Sequence, residues 1–474
     1  MMRMVILTLL LLFAFVASGC SQNLQPTLPD NKLSASCIPA LTALQQLSIR
    51  HIGIQQGEVM PGAPWLRSNR LVDHFAHQTE LSDPQLGDLL SYMSHLASAS
   101  LTRESQLLPA SQRQQWQQHF NVADPGSYID GCSEELVQQQ LLTPDNTRQW
   151  LDSLPADNDY QPLARIAGLY PLTALLFKQG VIREHQWLQQ QPDELQNSAW
   201  QTYTPQIIQT SAPDLKAAAR NSLGIATLPP AIEQALFDYH APLWRLPDNQ
   251  PVNRPGHPYW DETGLQVNQL PVSFTYLSHG IYHQQTTLQL NYLIWFPERQ
   301  PTGLFDLVAG KHDAVIFRVH LTQSGEVLAY DSIHLCGCWY SLILPEEQRY
   351  TATTELYREP TFVLHTDKGR QLISLTSNSH LLIASQKSDL TPSGSKQYQL
   401  LPFTDLLQLA TKDSPRSVFN PEGYVAGSER PERWLFWPMG ISNPGALRRP
   451  GDHAIRFIGT LHFDDPLILE KLGL

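Results

Sequence analysis

The spacing of apolar residues changes near the middle of the chain. From about Cys37 to His240 they recur at helical intervals. Asp83 is placed to cap a helix with Pro84 in its first turn, and Leu86, Leu89, Leu90, Met93 and Leu96 then share one face. Thr143-Pro144 opens another helix, with Trp150, Leu151 and Leu154 on a stripe. The apolar run Leu169 to Gln179 is expected to stop at Gly180, a usual helix terminator. Pro229-Pro230 precedes Ile232, Ala235, Leu236 and Tyr239, again at helical spacing. After Leu243 the texture becomes strand-like: Val272 to Leu277, Thr287 to Phe296, Ala314 to Leu321, Val327 to Ile333, Thr361 to His365 and Gln371 to Leu375. Asp367-Lys368-Gly369 reads as a hairpin turn between the last two runs, and a short helix is expected around Phe403 to Ala410. The pattern predicts an α+β protein. An all-helical domain over 37–245 is followed by an antiparallel, sandwich-like β-rich domain over 246–474.

The first twenty residues follow a different rule. Met1-Met2-Arg3-Met4 is a short basic start, and Val5 to Val16 is apolar except for Thr8. Ala17-Ser18-Gly19-Cys20 ends the stretch in small residues and a cysteine. This is the layout of an export signal, too short to remain as a membrane-spanning helix. The Ala17 to Cys20 segment resembles the lipobox of bacterial lipoproteins. That resemblance implies cleavage of 1–19 and acylation of Cys20, palmitate being one such acyl group. It also implies a lipid-anchored chain in the cell envelope, presenting its loops to the periplasm or to the surface. Ser21, in place of Asp after the cysteine, favours the outer membrane by analogy with enteric bacteria. Residues 20–36 then read as a lipidated tether, of which Ser21 to Ser36 reaches roughly 50 Å fully extended.

Composition narrows the partners. The 474 residues carry a net charge of -12, and leader cleavage removes Arg3 and no acid. An acidic chain has no general attraction for nucleic acid or for anionic headgroups, so membrane attachment must come from lipid. Four cysteines remain after Cys20. A bridge between Cys37 and Cys132 suits an oxidising envelope and would close a loop of about 95 residues, adding ~4 kcal/mol in the chain-entropy model.

The best candidate chemistry lies in Asp331-Ser332-Ile333-His334-Leu335-Cys336-Gly337-Cys338-Trp339. If the strand continues, His334, Cys336 and Cys338 point to one face. A three-residue loop, Gln323-Ser324-Gly325, would place Phe317 opposite Asp331 and make Arg318 and His320 neighbours of that strip. A two-residue Ser324-Gly325 turn would place Arg318 opposite Asp331 instead. The first register is preferred for its cleaner apolar face, although it puts Asp331 among apolar residues. Three readings follow: buried cysteines beside a satisfied histidine, or a local disulfide; a Zn or Cu(I) site; or a thiol nucleophile activated by histidine. Cys336-Gly337-Cys338-Trp339 lacks one residue of the papain-like Cys-Gly-Ser-Cys-Trp pattern and sits on a strand, so that match is set aside.

Other clusters are weaker. His279 and His283 have the spacing of a helical metal pair, but their flanks are strand-like and read as a hairpin bend. With His320 they remain candidate metal ligands beside His334, Cys336 and Cys338. Arg430, Arg433, Arg448 and Arg449 are interleaved with tryptophans and could bind carboxylate or phosphate of cell wall or lipopolysaccharide, or pair with local acids such as Glu429 and Glu432. No serine-hydrolase elbow, phosphate loop or dinucleotide fingerprint is present. The expected function is a lipid-anchored envelope protein that binds or assembles with an envelope protein or cell-wall partner. The alternative is a metal- or thiol-dependent hydrolase of envelope material working through His334, Cys336 and Cys338.

Overall fold

A computed structural model describes residues 26, 32–77, 81–154, 159–191, 199–303, 305–351, 355–388, 392–412 and 414–474. The leader, Cys20 and most of the expected tether lie outside the described residues. Six helices open the fold: α1 (Lys32–His51), α2 (Arg70–Ala76), α3 (Asp83–Leu107), α4 (Ala110–Phe120), α5 (Pro125–Gln140) and α6 (Pro144–Asp152). Residues 32–36, expected in the tether, therefore already belong to a helix. Ser82, not Asp83, caps α3, in a capping box whose Gln85 side chain accepts from the Ser82 backbone N–H at 3.0 Å. Leu86, Leu89, Leu90 and Met93 are fully buried as their spacing requires, in a core shared with Trp65, Trp116 and Trp150. The Cys37–Cys132 disulfide forms, with Cα atoms 5.5 Å apart, and ties α1 to α5. No helix among the described residues is long and apolar enough to cross a membrane.

The stretch expected to be all-helical is corrected beyond α6. Helices α7 (Pro162–Ala167) and α8 (Tyr170–Gln190) pack on C-terminal loops, with Arg165 Nε donating to Met439 O at 2.8 Å. Helix α8 runs straight through Gly180. After it come two strands, β3 (Trp200–Pro205) and β4 (Leu243–Pro247), separated by helix α9 (Pro230–His240). Both strands are short and end in proline, so neither shows a clear alternation in sequence. They follow a small hairpin, β1 (Glu58–Val59) with β2 (Arg67–Ser68), within the helical part.

The remaining strands are β5 (Pro258–Asp261), β6 (Gly264–Val267), β7 (Val272–Tyr282), β8 (Gln285–Arg299), β9 (Gly310–Leu321), β10 (Val327–His334), β11 (Ser341–Pro345), β12 (Phe362–Thr366), β13 (Gln371–Leu375), β14 (Leu382–Lys387) and β15 (Lys396–Pro402). Eleven strands make one sheet in the order β12-β11-β10-β9-β8-β7-β15-β3-β4-β13-β14. The end strands β12 and β14 approach each other, so the sheet curls into a nearly closed wall. The expectation of a purely antiparallel sandwich is thus corrected: β11/β12, β13/β4, β15/β3 and β15/β7 are parallel pairs in a mixed sheet. Nor do β12 and β13 form the expected hairpin, because the turn at 367–369 carries the chain across the seam.

Both faces of the sheet are buried, which explains the near-continuous apolar runs of β8 and β9. The inner face packs Tyr292, Phe317, Ile343, Trp244 and Ile373 against Leu236 and Phe237 of α9. The outer face packs Trp295, Ile316 and Ile333 against C-terminal loop residues such as Phe403, Leu447 and Phe463. Two short helices, α10 (Arg433–Phe436) and α11 (Ile468–Leu472), stiffen those loops, and the helix expected around 403–410 is a short 3-10 turn at Phe403–Leu407.

The hairpin of β9 and β10 decides which side chains meet. Gly325 takes the left-handed conformation (φ 87°), and Leu321 pairs with Val327 as the three-residue loop requires. A bulge between Val327 and Ala329 then shifts the register, so that Asp331 pairs with Arg318 and not with Phe317. The preferred register is corrected beyond that bulge. Arg318, His320 and Asp331 share the outer face, whereas His334, paired with Val315, turns to the inner one.

Candidate functional site

Strand β10 ends at His334, so the His-Cys-Cys strip does not continue as a strand. Gly337 (φ 87°) closes a tight turn in which its N–H donates to His334 O at 2.8 Å and His334 N–H donates to Cys338 O at 3.1 Å. A Cβ on Gly337 would lie 2.7 Å from Ala454 O, so only glycine fits. The turn places Cys336 in the outer core and brings Cys338, half-buried, to a cavity wall.

Behind the turn lies a charged hub. His334 Nδ1 is 3.3 Å and His380 Nδ1 2.9 Å from the carboxylate of Asp313, and Arg430 approaches it at 3.3 Å. The second ring nitrogens face carbonyls: His334 Nε2 lies 3.1 Å from His380 O, and His380 Nε2 3.2 Å from Val252 O. Burial pushes the Asp313 carboxyl up, but His334, Arg430 and the two imidazole contacts hold it well below the usual carboxylate range. The His380 ring stacks flat on Phe296 at 3.8 Å. His312, His380 and Trp339, all close to this hub, have positive φ of 59°, 51° and 62°, a concentration of backbone strain typical of functional sites.

The two thiols are free and hydrogen-bond to each other. Burial raises the Cys336 thiol, yet the hydrogen bond from Cys338, with Arg430 and His334 nearby, brings it down to about 6. Cys338 is held well above the ordinary thiol value by that bond and by burial, so one proton is shared across the pair. Burial and the charge of Cys336 push Glu432 up to about 7.

Cys338 lines a cavity of about 540 Å³ between α8 and residues 432–457. Leu176, Phe177, Val181, Leu435, Phe436 and Phe457 are among its apolar wall residues, and Phe177 packs edge-on against Phe436 at 5.1 Å. Among the polar groups of the wall, burial and Arg456 lower His185 to about 4, and burial raises Glu359. Leu163, Ile166, Leu169 and Leu172 of α7, α8 and their joint, with Trp434 and Leu435, stand exposed beside it.

The other candidates go elsewhere. His320 lies five residues along the sheet from His334, ~17 Å away and on the opposite face, where its Nε2 is 3.1 Å from Asp331. His283 occupies the two-residue β7–β8 turn, as the hairpin reading expects. His279 points into a smaller cavity of about 220 Å³ with Arg70, Tyr92 and Asp464. There burial lowers His279 to about 4 and raises Asp464 to about 8. Among the described residues no group of three or more His, Cys, Asp or Glu is placed to hold a metal ion. The arginines do not gather into one patch. Arg430 is buried on Asp313, Arg448 donates to Ser442 O and Asn443 O at 3.0 Å, Arg449 pairs with Asp452 at 2.8 Å and with Glu58, and Arg433 lies over Trp434. Sequence reasoning missed Asp313, His380 and the apolar face of α8. Two of them left a signal: Asp313 as the acid directly before the apolar run Ala314 to Leu321, and α8 as the apolar run Leu169 to Gln179, which reads as a helix and not as a binding face.

Comparison with family models, curated proteins and solved structures finds no match to this chain in any of the three.

Proposed function

We propose that the chain is a lipid-anchored envelope protein that binds an apolar, membrane-derived ligand of the acyl-chain class in the cavity beside α8. The cavity carries this reading: about 540 Å³ lies within the range of small-molecule sites, and its wall is largely apolar, with a few polar groups that include Glu359 and Arg456. Leu176 is largely exposed and also lines the cavity, so its apolar wall opens to the surface, which suits a ligand leaving a lipid layer. The lipobox-like leader ending at Cys20 supports a position next to such a layer. Burying about ten methylenes contributes roughly 8 kcal/mol before ordering costs, which sets the expected Kd at micromolar or weaker. A hydrolytic role through His334 has less support, since both its ring nitrogens already face oxygen acceptors and neither is left to take a proton from a thiol.

The test is a titration of the delipidated protein with a fluorescent long-chain fatty acid. Saturable binding that Leu176→Asp weakens at least tenfold is expected; Leu176 is largely exposed, so this change leaves the core intact. Absence of saturable binding by a folded wild-type protein would remove the proposal.

A further inference from the structure

The apolar cavity explains neither why two free thiols share one short turn nor why one of them forms part of its wall. Cys37 and Cys132 show what a structural pair looks like here: both are buried in the helical core and bonded to each other. Cys336 and Cys338 are not disulfide-bonded to each other, and only Cys336 is buried. Their turn is fixed by Gly337, whose position against Ala454 O leaves no room for a side chain. Cys336 lies behind, 4% exposed, while Cys338 faces the cavity. The buried guanidinium of Arg430 favours negative charge on the pair.

We propose that Cys336 and Cys338 form a redox-active dithiol that exchanges with small disulfides, glutathione disulfide being the representative, entering through the cavity beside α8. The inference goes beyond ligand binding and does not depend on what apolar molecule the cavity holds.

The chemistry balances as two displacements. Cys338 Sγ attacks one sulfur of R–S–S–R′ while its proton passes along the existing hydrogen bond to the thiolate of Cys336. The Cys338–SR bond forms, the R–S–S–R′ bond breaks, and R′S⁻ leaves, taking a proton from water. Cys336 then returns its proton to water and attacks Cys338 Sγ, forming the Cys336–Cys338 disulfide and expelling RS⁻, which is protonated in turn. The pair loses two electrons and its one shared proton, and the substrate disulfide gains the two electrons and two protons, the second proton coming from water. No histidine is needed as base, which agrees with the full engagement of His334. The reverse sequence would oxidise an incoming dithiol.

The order of attack gives the test its asymmetry. The full chain is equilibrated with buffers of oxidised and reduced glutathione, quenched with acid and read by intact mass. Wild type is expected to convert to an internal disulfide without retaining glutathione. Cys336→Ser, which keeps the accessible thiol and loses the resolving one, is expected to accumulate one bound glutathione. Cys338→Ser, left with only the buried thiol, is expected to react far more slowly. Equal trapping by the two variants, or a wild-type pair that stays reduced across the whole glutathione range, overturns the proposal. Retention of the Cys37–Cys132 bridge and of far-ultraviolet dichroism shows that each variant is folded. The fatty-acid titration of the same wild-type protein reads acyl binding separately, so exchange without acyl binding, or the reverse, shows that the failure of one reading does not carry the other.

Discussion

Arg318 and Asp331 meet across β9 and β10 with Nε and NH2 2.9 and 2.5 Å from the two carboxylate oxygens, and neither side chain reaches solvent. Arg318 lies 3.6 Å over the Phe463 ring and donates to Phe463 O at 2.6 Å, while Tyr340 donates to Asp331 at 3.1 Å. Removing one partner strands the other charge, so Asp331→Asn is expected to cost about 3–5 kcal/mol in urea unfolding. Burial raises the Asp331 carboxyl, but Arg318 and His320 lower it to about 2. A depressed carboxylate contributes stability above its unfolded pKa near ~3.9 and loses it as pH falls toward 2. Wild type should therefore weaken through that window, and Asp331→Asn should show a shallower loss there. The thiol pair gives a second prediction at this scale. Ultraviolet thiolate absorbance of the reduced protein, which does not need access to the buried Cys336, should titrate with a first midpoint near 6, below the ~8.5 of a free thiol. The sequence itself hinted at the ion pair, since the preferred register left Asp331 among apolar residues. What it could not show was the bulge at Leu328, because no residue type there marks one.

At the scale of elements, long buried strands are the most legible. Strands β8 and β9 are buried on both faces and appear as long apolar runs; β3, β4, β11 and β14 are five or six residues long and were merged into loops or helices. Helix α8 misled for another reason. Gly180 is a usual stop, yet here it sits mid-helix, and a Cβ added to it meets nothing within 4 Å. Gly180→Ala should therefore raise stability by about 0.5–1 kcal/mol, read as a higher urea midpoint with unchanged slope. The cysteine spacing was more faithful. Its loop of 95 residues implies a loss of roughly 4 kcal/mol for Cys37→Ser with Cys132→Ser, measured against wild type under non-reducing conditions.

At the scale of the whole molecule, one curled sheet organises everything else. Its inner face is sealed by α9, its outer face by the C-terminal loops, and the helical core meets it at Ile281 of β7. The cavity arises where α8 crosses residues 432–457, far apart in sequence, so no local pattern announced it. Asp313, His380 and Arg430 likewise converge from three distant segments. Cys336 and Cys338 were visible as a motif, but their division into one buried and one cavity-facing thiol depends on a turn the alternation rule did not anticipate. If the leader acts as proposed, Cys20→Ser should move the protein from the membrane pellet to the soluble fraction, with cavity binding unchanged. The most direct measurement is photo-crosslinking with a long-chain fatty acid carrying a terminal diazirine, followed by peptide mapping. The account predicts saturable labelling confined to peptides from α8 and residues 432–457, lost on competition with unlabelled fatty acid. Labelling spread over the surface, or centred on another cavity, would contradict it.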